Sequence, residues 1–254
     1  MSSKFQKLQS IIKNLSETQI NFLENLANIF QSPYQTLERN PESDLIRDNM
    51  VRDFGDYLRI HHCFSHQPFT KDKFEFALET VVNLSGVQAK LAPKGNPGYD
   101  IEINKEKISL KTQADKNIKE LKIHISKFME LGKGEWGDQE EQLIGLREQF
   151  FQHLKGYNRI IDLRCLQHEE NSYRYELVEI PVKLLQKAKK GTFRMMHNST
   201  QFPKPGYCDV YGPNQKLLYQ LYFDGGGERK LQIKNIDKNH CIVHATWSFQ
   251  STMI

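Results

Sequence analysis

The sequence predicts an α/β protein with a central mixed β-sheet flanked by helices and an N-terminal helical layer. Three observations support this fold class. The chain has 254 residues, of which 38% are hydrophobic and 26% are charged, a balance typical of a large folded domain. Segments of helical periodicity alternate with segments of period two. No repeat of fixed length is present, which argues against a solenoid.

Helical patterns come first along the chain. Ser16 and Gln19 match a capping box ahead of a stripe of apolar residues, which predicts a capped amphipathic helix. A polar segment with two prolines, over residues 31–44, reads as a connection. Another helical stripe contains Phe54. We therefore expect the first sixty residues, about 1–60, to form a helical layer.

From residue 70 onward, helices alternate with strands. Thr70 can cap a helix that Gly86 ends. A helix is expected over about 139–154, and Pro181 is placed to start a short one. Period-two segments predict strands at several places: residues 101–103, 108–110, 121–125, 157–165, 173–180, 217–223, 231–236 and 241–249.

Composition narrows the class of protein. No run approaches the roughly 18 apolar residues of a membrane span, and the first residues are too polar for a signal peptide, so we expect a cytoplasmic protein. The net charge of +4 permits a polyanionic partner without requiring one. Neither a disulfide framework nor a four-cysteine zinc site is indicated, because no CxxC pair occurs among Cys63, Cys165, Cys208 and Cys241.

The most informative stretch is a predicted β-hairpin that carries acidic and basic side chains. A two-residue loop at 105–106 would place Asp100 across from Lys111 and Glu102 across from Ser109. The aliphatic residues of both strands then face one side of the hairpin. The other face carries the polar side chains: Asp100, Glu102, Ser109, Lys111 and Gln113.

A carboxylate beside an amine suits phosphodiester hydrolysis. The Asp100 carboxylate can hold a hard cation such as Mg²⁺, and the Lys111 ammonium can stabilise developing charge or orient the attacking water. The alternative is an ordinary exposed hairpin whose cross-strand ion pair contributes under about 1 kcal/mol. Geometry alone leaves both interpretations open.

The hairpin resembles the metal site of PD-(D/E)xK nucleases, in which one strand begins with an acid and the next carries a (D/E)-x-K triplet. Asp100 takes the first acidic position and Lys111 takes the lysine. Longer segments are similar to type II restriction endonucleases of this superfamily: NPGYDIEI with SLKT, KFMELGKGEW, LVEIP, PKPGY, and YFDGGGERKLQIK with HCIVH. The resemblance covers most of the chain.

The resemblance implies a type II restriction endonuclease, a Mg²⁺-dependent homodimer that hydrolyses phosphodiester bonds of double-stranded DNA at a short palindrome and leaves 5'-phosphate ends. A GC-rich site such as CCCGGG, cut in the middle to give blunt ends, is expected, as is host defence by restriction-modification beside a cognate DNA methyltransferase. A DNA-binding module with a decayed nuclease site and a repair nuclease are the alternatives.

The resemblance also implies one endonuclease domain over residues 1–254 with a PD-(D/E)xK restriction-endonuclease-like core. Its catalytic and DNA-recognition part would extend over about 70–254. The chain departs from the motif at Ser109, where the triplet should have an acid.

Two carboxylates can replace that missing acid. Glu75 is the first candidate, because a helix glutamate often points into the site in this superfamily; otherwise it lies on a solvated helix face beside lysines. Glu102 is the second choice. Together with the Leu110 carbonyl, which the resemblance implies as a ligand, Asp100 and Glu75 form the expected metal site.

Two basic segments are candidate DNA contacts. One follows the catalytic strand and offers Gln113, Lys116, Lys119, Lys127 and Lys133. The other follows three glycines and offers Arg229 and Lys230. Arg229 is suited to bidentate recognition of guanine, or to an ion pair with Glu228 or Asp224. Exposed lysines are also common on any protein surface.

Two Cys-x-x-His steps raise a further possibility. His62-Cys63-x-x-His66 and His240-Cys241-x-x-His244 together offer four zinc ligands, which a zinc-stabilised nucleic-acid-binding protein would use. Cys241 and Val243 nevertheless alternate like core residues of a strand, which favours buried thiols and hydrogen-bonded imidazoles.

Overall fold

The computed structural model describes residues 3–93, 95–96, 98–115, 117–132, 136–169 and 171–251. These ranges contain six α-helices: α1 Ser3–Ile12, α2 Glu17–Gln31, α3 Asp48–His62, α4 Lys71–Leu84, α5 Gln142–Leu154 and α6 Val182–Leu185. They also contain twelve strands: β1 Thr36–Arg39, β2 Ala89–Leu91, β3 Ile101–Ile103, β4 Glu106–Gln113, β5 Lys122–Glu130, β6 Arg159–Glu169, β7 Ser172–Glu179, β8 Thr192–Met195, β9 Gly206–Tyr211, β10 Leu217–Phe223, β11 Lys230–Asp237 and β12 Ile242–Gln250. No helix in these ranges is long and apolar enough to cross a membrane.

The strands form two sheets. The larger sheet has seven strands in the order β1-β12-β7-β6-β4-β3-β2; β4 and β6 run parallel, and the other neighbours run antiparallel. The predicted mixed sheet is therefore confirmed. A second sheet, with the order β5-β11-β10-β9-β8, corrects the expectation of a single central sheet.

Three short strands explain why sequence periodicity missed part of this architecture. β1 lies in the segment expected to be a connection, and it pairs at the sheet edge with β12, where Leu37 lies opposite Trp247. β8 and β9 pair with each other, although neither shows an apolar period-two pattern over enough residues to stand out. β1 is defined by pairing with a strand distant in sequence, and β8 and β9 carry too weak an apolar pattern, so local sequence is a poor guide to all three.

The larger sheet separates two hydrophobic cores. One face packs against α3 and α4 and includes Ile161 and Leu163 of β6. The opposite face, represented by Ile160, packs with α5 and the five-stranded sheet. Successive residues of one strand thus enter different cores, as the strand geometry requires. The helices on either face hold β4 and β6 in the middle of the molecule.

The predicted helix starts are confirmed at two places. Ser16 is the N-cap residue of α2: its Oγ accepts a hydrogen bond from the Gln19 backbone N–H at 3.3 Å, while the Gln19 side chain accepts one from the Ser16 N–H at 2.9 Å. Thr70 is the N-cap residue of α4, although its side chain makes no capping hydrogen bond. Gly86 follows α4 with a φ of 82°, a conformation that glycine adopts without steric cost.

The register of the β3–β4 hairpin differs by two residues from the predicted one. The turn lies at Asn104 and Lys105, whose φ angles are 48° and 69°, and Asn readily adopts this left-handed conformation. Ile101 consequently lies opposite Ile108, and Glu102 lies opposite Lys107 rather than Ser109. A shift of two residues preserves the strand faces, so the predicted separation of apolar and polar sides is correct.

Arg164 anchors the segment that follows β4. Its buried guanidinium forms an ion pair with Glu176 and donates to the Gln113 Oε1 atom at 3.1 Å. It also donates to the backbone carbonyls of Lys119 and Glu120 in the connection to β5, and to that of Lys122, the first residue of β5. These bonds hold the connection against the sheet beside the polar face of β4.

Candidate active site

A cleft of about 570 Å³ lies where the β3–β4 hairpin meets β5 and the end of α5. Side chains from four elements and from the residues preceding β3 line it, including Lys71, Asp100, Ser109, Lys111, Lys127, Phe128 and His153. Residues on the polar face of β4 therefore lie in one cleft together with residues that are distant in sequence.

Asp100 is held at the start of β3 by three donors. Its Oδ2 atom accepts hydrogen bonds from the Leu110 backbone N–H at 2.6 Å and from the Ser109 hydroxyl at 3.2 Å. Its Oδ1 atom accepts one from the Lys71 ammonium at 2.7 Å. Ser109, which stands where the motif has an acid, thus donates a hydrogen bond to Asp100 instead of supplying a second carboxylate.

Glu75 reaches the same place from α4. Its Oε1 atom lies 3.3 Å from the Lys71 Nζ atom, one helical turn away. Burial raises the pKa of Glu75; the Lys71 charge opposes this rise, and the Asp100 charge adds to it. Burial lowers the pKa of Lys71, but the Asp100 and Glu75 carboxylates outweigh it, so that pKa is raised. Two carboxylates therefore converge on one ammonium.

Lys111 extends from β4 into the cleft. It is half-buried, and its Nζ atom lies 5.7 Å from the centre of the Phe128 ring. Burial lowers its pKa, although the Asp100 carboxylate acts in the opposite direction. A partly desolvated ammonium of this kind exerts a stronger field on a nearby anion than an exposed one does.

Asp162 lies beside Lys111 on the neighbouring parallel strand β6. Its side chain is buried, and neither carboxylate oxygen has a hydrogen-bond partner among the described residues. Burial raises its pKa to about 7. Because residues paired in adjacent strands share a face, Asp162 is a carboxylate in the protein interior next to Lys111.

His153 forms the wall on the α5 side, and Tyr157 packs against its ring. The imidazole of His153 lies 5.6 Å from the Phe128 ring and 5.6 Å from the Tyr157 ring, measured between centres. Burial and the Lys111 charge lower the pKa of His153, which keeps the imidazole neutral near pH 7. The Tyr157 hydroxyl is buried without a hydrogen-bond partner among the described residues.

The predicted site residues divide into two groups. Asp100, Glu75 and Lys111 come together around the cleft. Glu102 does not, because its neighbours across the strands are Lys90 and Lys107, and it does not line the cleft. The convergence of carboxylates and ammonium groups can hold a cation against an anionic substrate and stabilise additional negative charge.

Comparison with known proteins assigns the family. A family model described as SmaI, type II site-specific deoxyribonuclease, matches residues 8–249. The type II restriction enzyme SmaI of Serratia marcescens is 48% identical over 207 residues, which are 81% of this chain and 82% of the relative. The chain belongs to the SmaI family of type II restriction endonucleases. The predicted enzyme class, a DNA hydrolase acting on double-stranded DNA, is thereby confirmed. No solved structure matches the chain.

The cations that were predicted to contact DNA in this SmaI-family enzyme have different surroundings. Lys127 is exposed at the rim of the cleft and pairs with Glu130 at 2.9 Å. Lys119 is exposed on the connection that Arg164 holds. Lys116 and Lys133 lie outside the described residues.

Gln113, also predicted to contact DNA, is buried. Its amide oxygen accepts hydrogen bonds from the Arg164 guanidinium and from the His124 N–H, so it lies in the interior and not at the surface.

Arg229 follows the glycine turn without the ion pairs considered for it. Glu228 pairs with Lys230 at 2.9 Å, and Asp224 accepts a hydrogen bond from Gln232 at 3.1 Å. Among the described residues, the Arg229 guanidinium lies over the ring of Trp136, whose centre is 6.0 Å away. Its charge is therefore available to a ligand, and its role in base recognition stays a prediction.

A second group of potential metal ligands lies away from the cleft. Asp44, Glu179 and His244 have ligand atoms within 4.8 Å of one another, the one such group among the described residues. The Arg159 guanidinium already pairs with Asp44 at 2.7 Å and with Glu179. His244 uses its Nε2 atom on Glu179 at 3.1 Å and its Nδ1 atom on Ser43 at 2.8 Å. This group is thus a satisfied ion-pair cluster.

The two Cys-x-x-His steps are not brought together into a four-ligand zinc site within the described residues. His62 bonds to the Ser65 carbonyl at 2.9 Å and the Tyr175 hydroxyl at 2.7 Å. His244 belongs to the ion-pair cluster. The preferred interpretation, hydrogen-bonded imidazoles, is confirmed for these two residues.

Sequence reasoning missed Lys71, His153 and Asp162. The first had a detectable signal, because Lys71 and Glu75 have the i,i+4 spacing of a helical ion pair. His153 lies in the last turn of α5, where a histidine is ordinary. Asp162 has an unremarkable place within a strand, and only the pairing of β6 with β4 brings it beside Lys111.

Proposed function

We propose that this SmaI-family enzyme hydrolyses DNA with Mg²⁺ held by Asp100 and Glu75, and with Lys111 assisting the attacking water and the transition state. One observation carries the proposal: two carboxylates converge on a single cationic group in the cleft that contains Lys111. Asp100 and Glu75 supply the hard oxygen ligands that Mg²⁺ prefers.

The donor set fits a divalent cation. The Lys71 ammonium already lies between the two carboxylates, 2.7 Å from Asp100 and 3.3 Å from Glu75, so this position favours positive charge. Type II restriction enzymes generally need a divalent metal. We keep the Leu110 carbonyl as a further ligand and leave Glu102 out, because Glu102 lies opposite Lys107 and does not line the cleft. A bound Mg²⁺ would neutralise phosphate charge and acidify a coordinated water.

The protein's own groups would then perform distinct tasks. The Leu110 N–H and the Ser109 hydroxyl orient Asp100. The Lys111 ammonium, desolvated beside Phe128, stabilises the charge that develops on the phosphoryl oxygens and orients the water. Because its pKa is lowered, Lys111 also transfers a proton more readily than an exposed lysine does.

The substrate in this proposal is a short palindrome in double-stranded DNA, with CCCGGG cut at its centre as the expected site. A palindrome cut symmetrically in both strands matches a two-fold dimer, and a cognate methyltransferase would protect host DNA. Exposed Lys119 and Lys127 are proposed to contact phosphates, together with Lys230. Arg229, which has no ion-pair partner among the described residues, is proposed to read a base.

Digestion of a sequenced plasmid tests this function. Wild type, Lys111→Ala and the control Lys187→Ala, which changes an exposed lysine of a different surface segment, are compared with and without Mg²⁺. We expect discrete bands with Mg²⁺ for wild type and control, and at least about a 100-fold slower reaction for Lys111→Ala. Sequencing the fragment ends gives the site and the cut position. Equal cleavage by Lys111→Ala would remove Lys111 from the mechanism, and DNA binding without any cleavage would indicate a decayed site.

A further inference from the structure

Lys71 occupies the position that the proposed metal needs. Its Nζ atom contacts Asp100 Oδ1 at 2.7 Å and Glu75 Oε1 at 3.3 Å. These are the two side chains assigned to Mg²⁺ above, and Lys71 reaches both from the first turn of α4. The ammonium is therefore a built-in cation at the centre of the site.

We propose that Lys71 is an internal competitor of the metal: its ammonium neutralises Asp100 and Glu75 in the metal-free enzyme, and a divalent cation must displace it to bind. This inference rests on the proposed function, because it takes Asp100 and Glu75 as the metal ligands. Lys71 would thus set the metal affinity of the enzyme without being a ligand.

The surroundings of Lys71 allow such an exchange. Its side chain is 40% exposed, whereas those of Asp100 and Glu75 are 19% and 23% exposed. The long aliphatic stem of a lysine can place its ammonium elsewhere in the cleft while the carboxylates remain fixed. Asp100 also keeps its bonds from the Leu110 N–H and Ser109 on the other oxygen, so that release of Lys71 frees Oδ1 of Asp100 together with Oε1 of Glu75.

Electrostatics makes simultaneous occupancy unfavourable. A divalent ion bound between the two carboxylates would lie within a few ångströms of the Lys71 ammonium, and like charges at that distance repel strongly in a partly desolvated site. Lys111 adds a further positive charge to the same cleft. The enzyme therefore holds two carboxylates against two ammonium groups until a metal enters.

Binding of Mn²⁺ to the DNA-free protein, followed as free Mn²⁺ by electron paramagnetic resonance, tests the competition. Lys71→Met and Lys71→Gln remove the charge, and both should bind Mn²⁺ about tenfold more tightly than wild type. Lys71→Arg keeps the charge and should bind no more tightly than wild type. The Mg²⁺ concentration for half-maximal cleavage should fall by a similar factor in Lys71→Met.

Two controls separate the possible failures. Lys73→Met changes a lysine of the same helix whose Nζ atom lies 3.1 Å from His61, and it should leave the Mn²⁺ affinity unchanged. Asp100→Asn should abolish the binding; if it does not, the proposed metal site is wrong. If Asp100→Asn abolishes binding while Lys71→Met and Lys71→Gln bind Mn²⁺ with wild-type or weaker affinity, the metal site stands and the competition by Lys71 is overturned.

Discussion

Two acidic clusters in this molecule have similar composition and different surroundings. In the cleft, Asp100 and Glu75 share the ammonium of Lys71, whose side chain is 40% exposed. In the ion-pair cluster, Asp44 and Glu179 share the guanidinium of Arg159, whose side chain is 11% exposed. Each cluster thus balances two carboxylates with one principal cation.

The difference lies in how the cation is held. Arg159 donates three hydrogen bonds to Glu179 and Asp44 at 2.7–3.2 Å, with a fourth that is shorter, and its planar group matches both carboxylates. Lys71 offers a single ammonium on a flexible stem. A count of carboxylates therefore does not distinguish the two clusters; the way in which the neutralising cation is held does.

Removing charge from the cleft should produce the largest functional effect. Asp100→Asn keeps the shape of the side chain but removes the anion that the metal and Lys71 require, so we expect cleavage to fall by at least about a thousandfold. The melting temperature should change less than in the ion-pair cluster, because asparagine keeps an oxygen for the Leu110 N–H and Ser109 donors, and Lys71, whose side chain is 40% exposed, can turn to solvent. Single-turnover cleavage and thermal unfolding of the same preparation measure both quantities. Wild-type activity in this variant would remove Asp100 from the site.

The same kind of substitution in the ion-pair cluster should act on stability instead. Glu179→Gln leaves the guanidinium of Arg159 and the ring of His244 with a weaker partner in a buried place, so we expect the free energy of unfolding to drop by about 2 kcal/mol. Urea titration measures this drop. Cleavage per folded molecule should match wild type, and a selective loss of cleavage would show that the two clusters are not separate in function.

The sequence predicted the content of the cleft better than its arrangement. Period two placed Asp100, Ser109 and Lys111 on one polar face, and this prediction survives a register error of two residues because the face depends only on parity. The turn position was wrong because Asn104 and Lys105 both adopt left-handed conformations, a choice that composition alone does not determine between neighbouring dipeptides.

Features defined by distant pairing were not accessible from local pattern. The ion-pair cluster joins the segment before α3 to β6, β7 and β12, and the spacing of its residues along the chain does not predict it. The second sheet was missed partly for the same reason, since β5 pairs with β11, which lies far along the chain; its strands β8 and β9 pair with each other but lack a clear period-two apolar pattern. Asp162 becomes notable only through the parallel pairing that brings it to Lys111.

Asp162 sharpens the comparison, because its buried carboxylate has no hydrogen-bond partner among the described residues, although Lys111 lies beside it on the neighbouring strand. Its pKa in the folded protein, about 7, exceeds the ordinary value of 3.8. Between about pH 4 and about pH 7, the Asp162 carboxyl is ionised in the unfolded chain but still protonated in the folded protein. A rise in pH within this window therefore favours the unfolded chain, and the folded state becomes less stable. Above that window the effect levels off.

Asp162→Asn should remove this pH dependence. We expect the wild-type free energy of unfolding, relative to the variant, to fall by about 1 kcal/mol per pH unit across the window. Urea titrations of both proteins at several pH values from about 4 to about 8 measure the difference. A difference that is constant with pH would mean that Asp162 is ionised in the folded protein throughout.

The smallest expected effect concerns exposed cations near the two clusters. Lys127 lies at the cleft rim, whereas Arg47 is exposed three residues after Asp44. If only the cleft faces DNA, Lys127→Ala should lower the slope of log K against log salt concentration by about one, because one phosphate contact is lost. Arg47→Ala should leave the slope unchanged. Fluorescence-anisotropy titrations with a short duplex, in Ca²⁺ to limit cleavage, would measure the salt dependence of DNA binding in both variants. An equal change of slope in the two variants would mean that the bound DNA contacts the ion-pair cluster as well as the cleft.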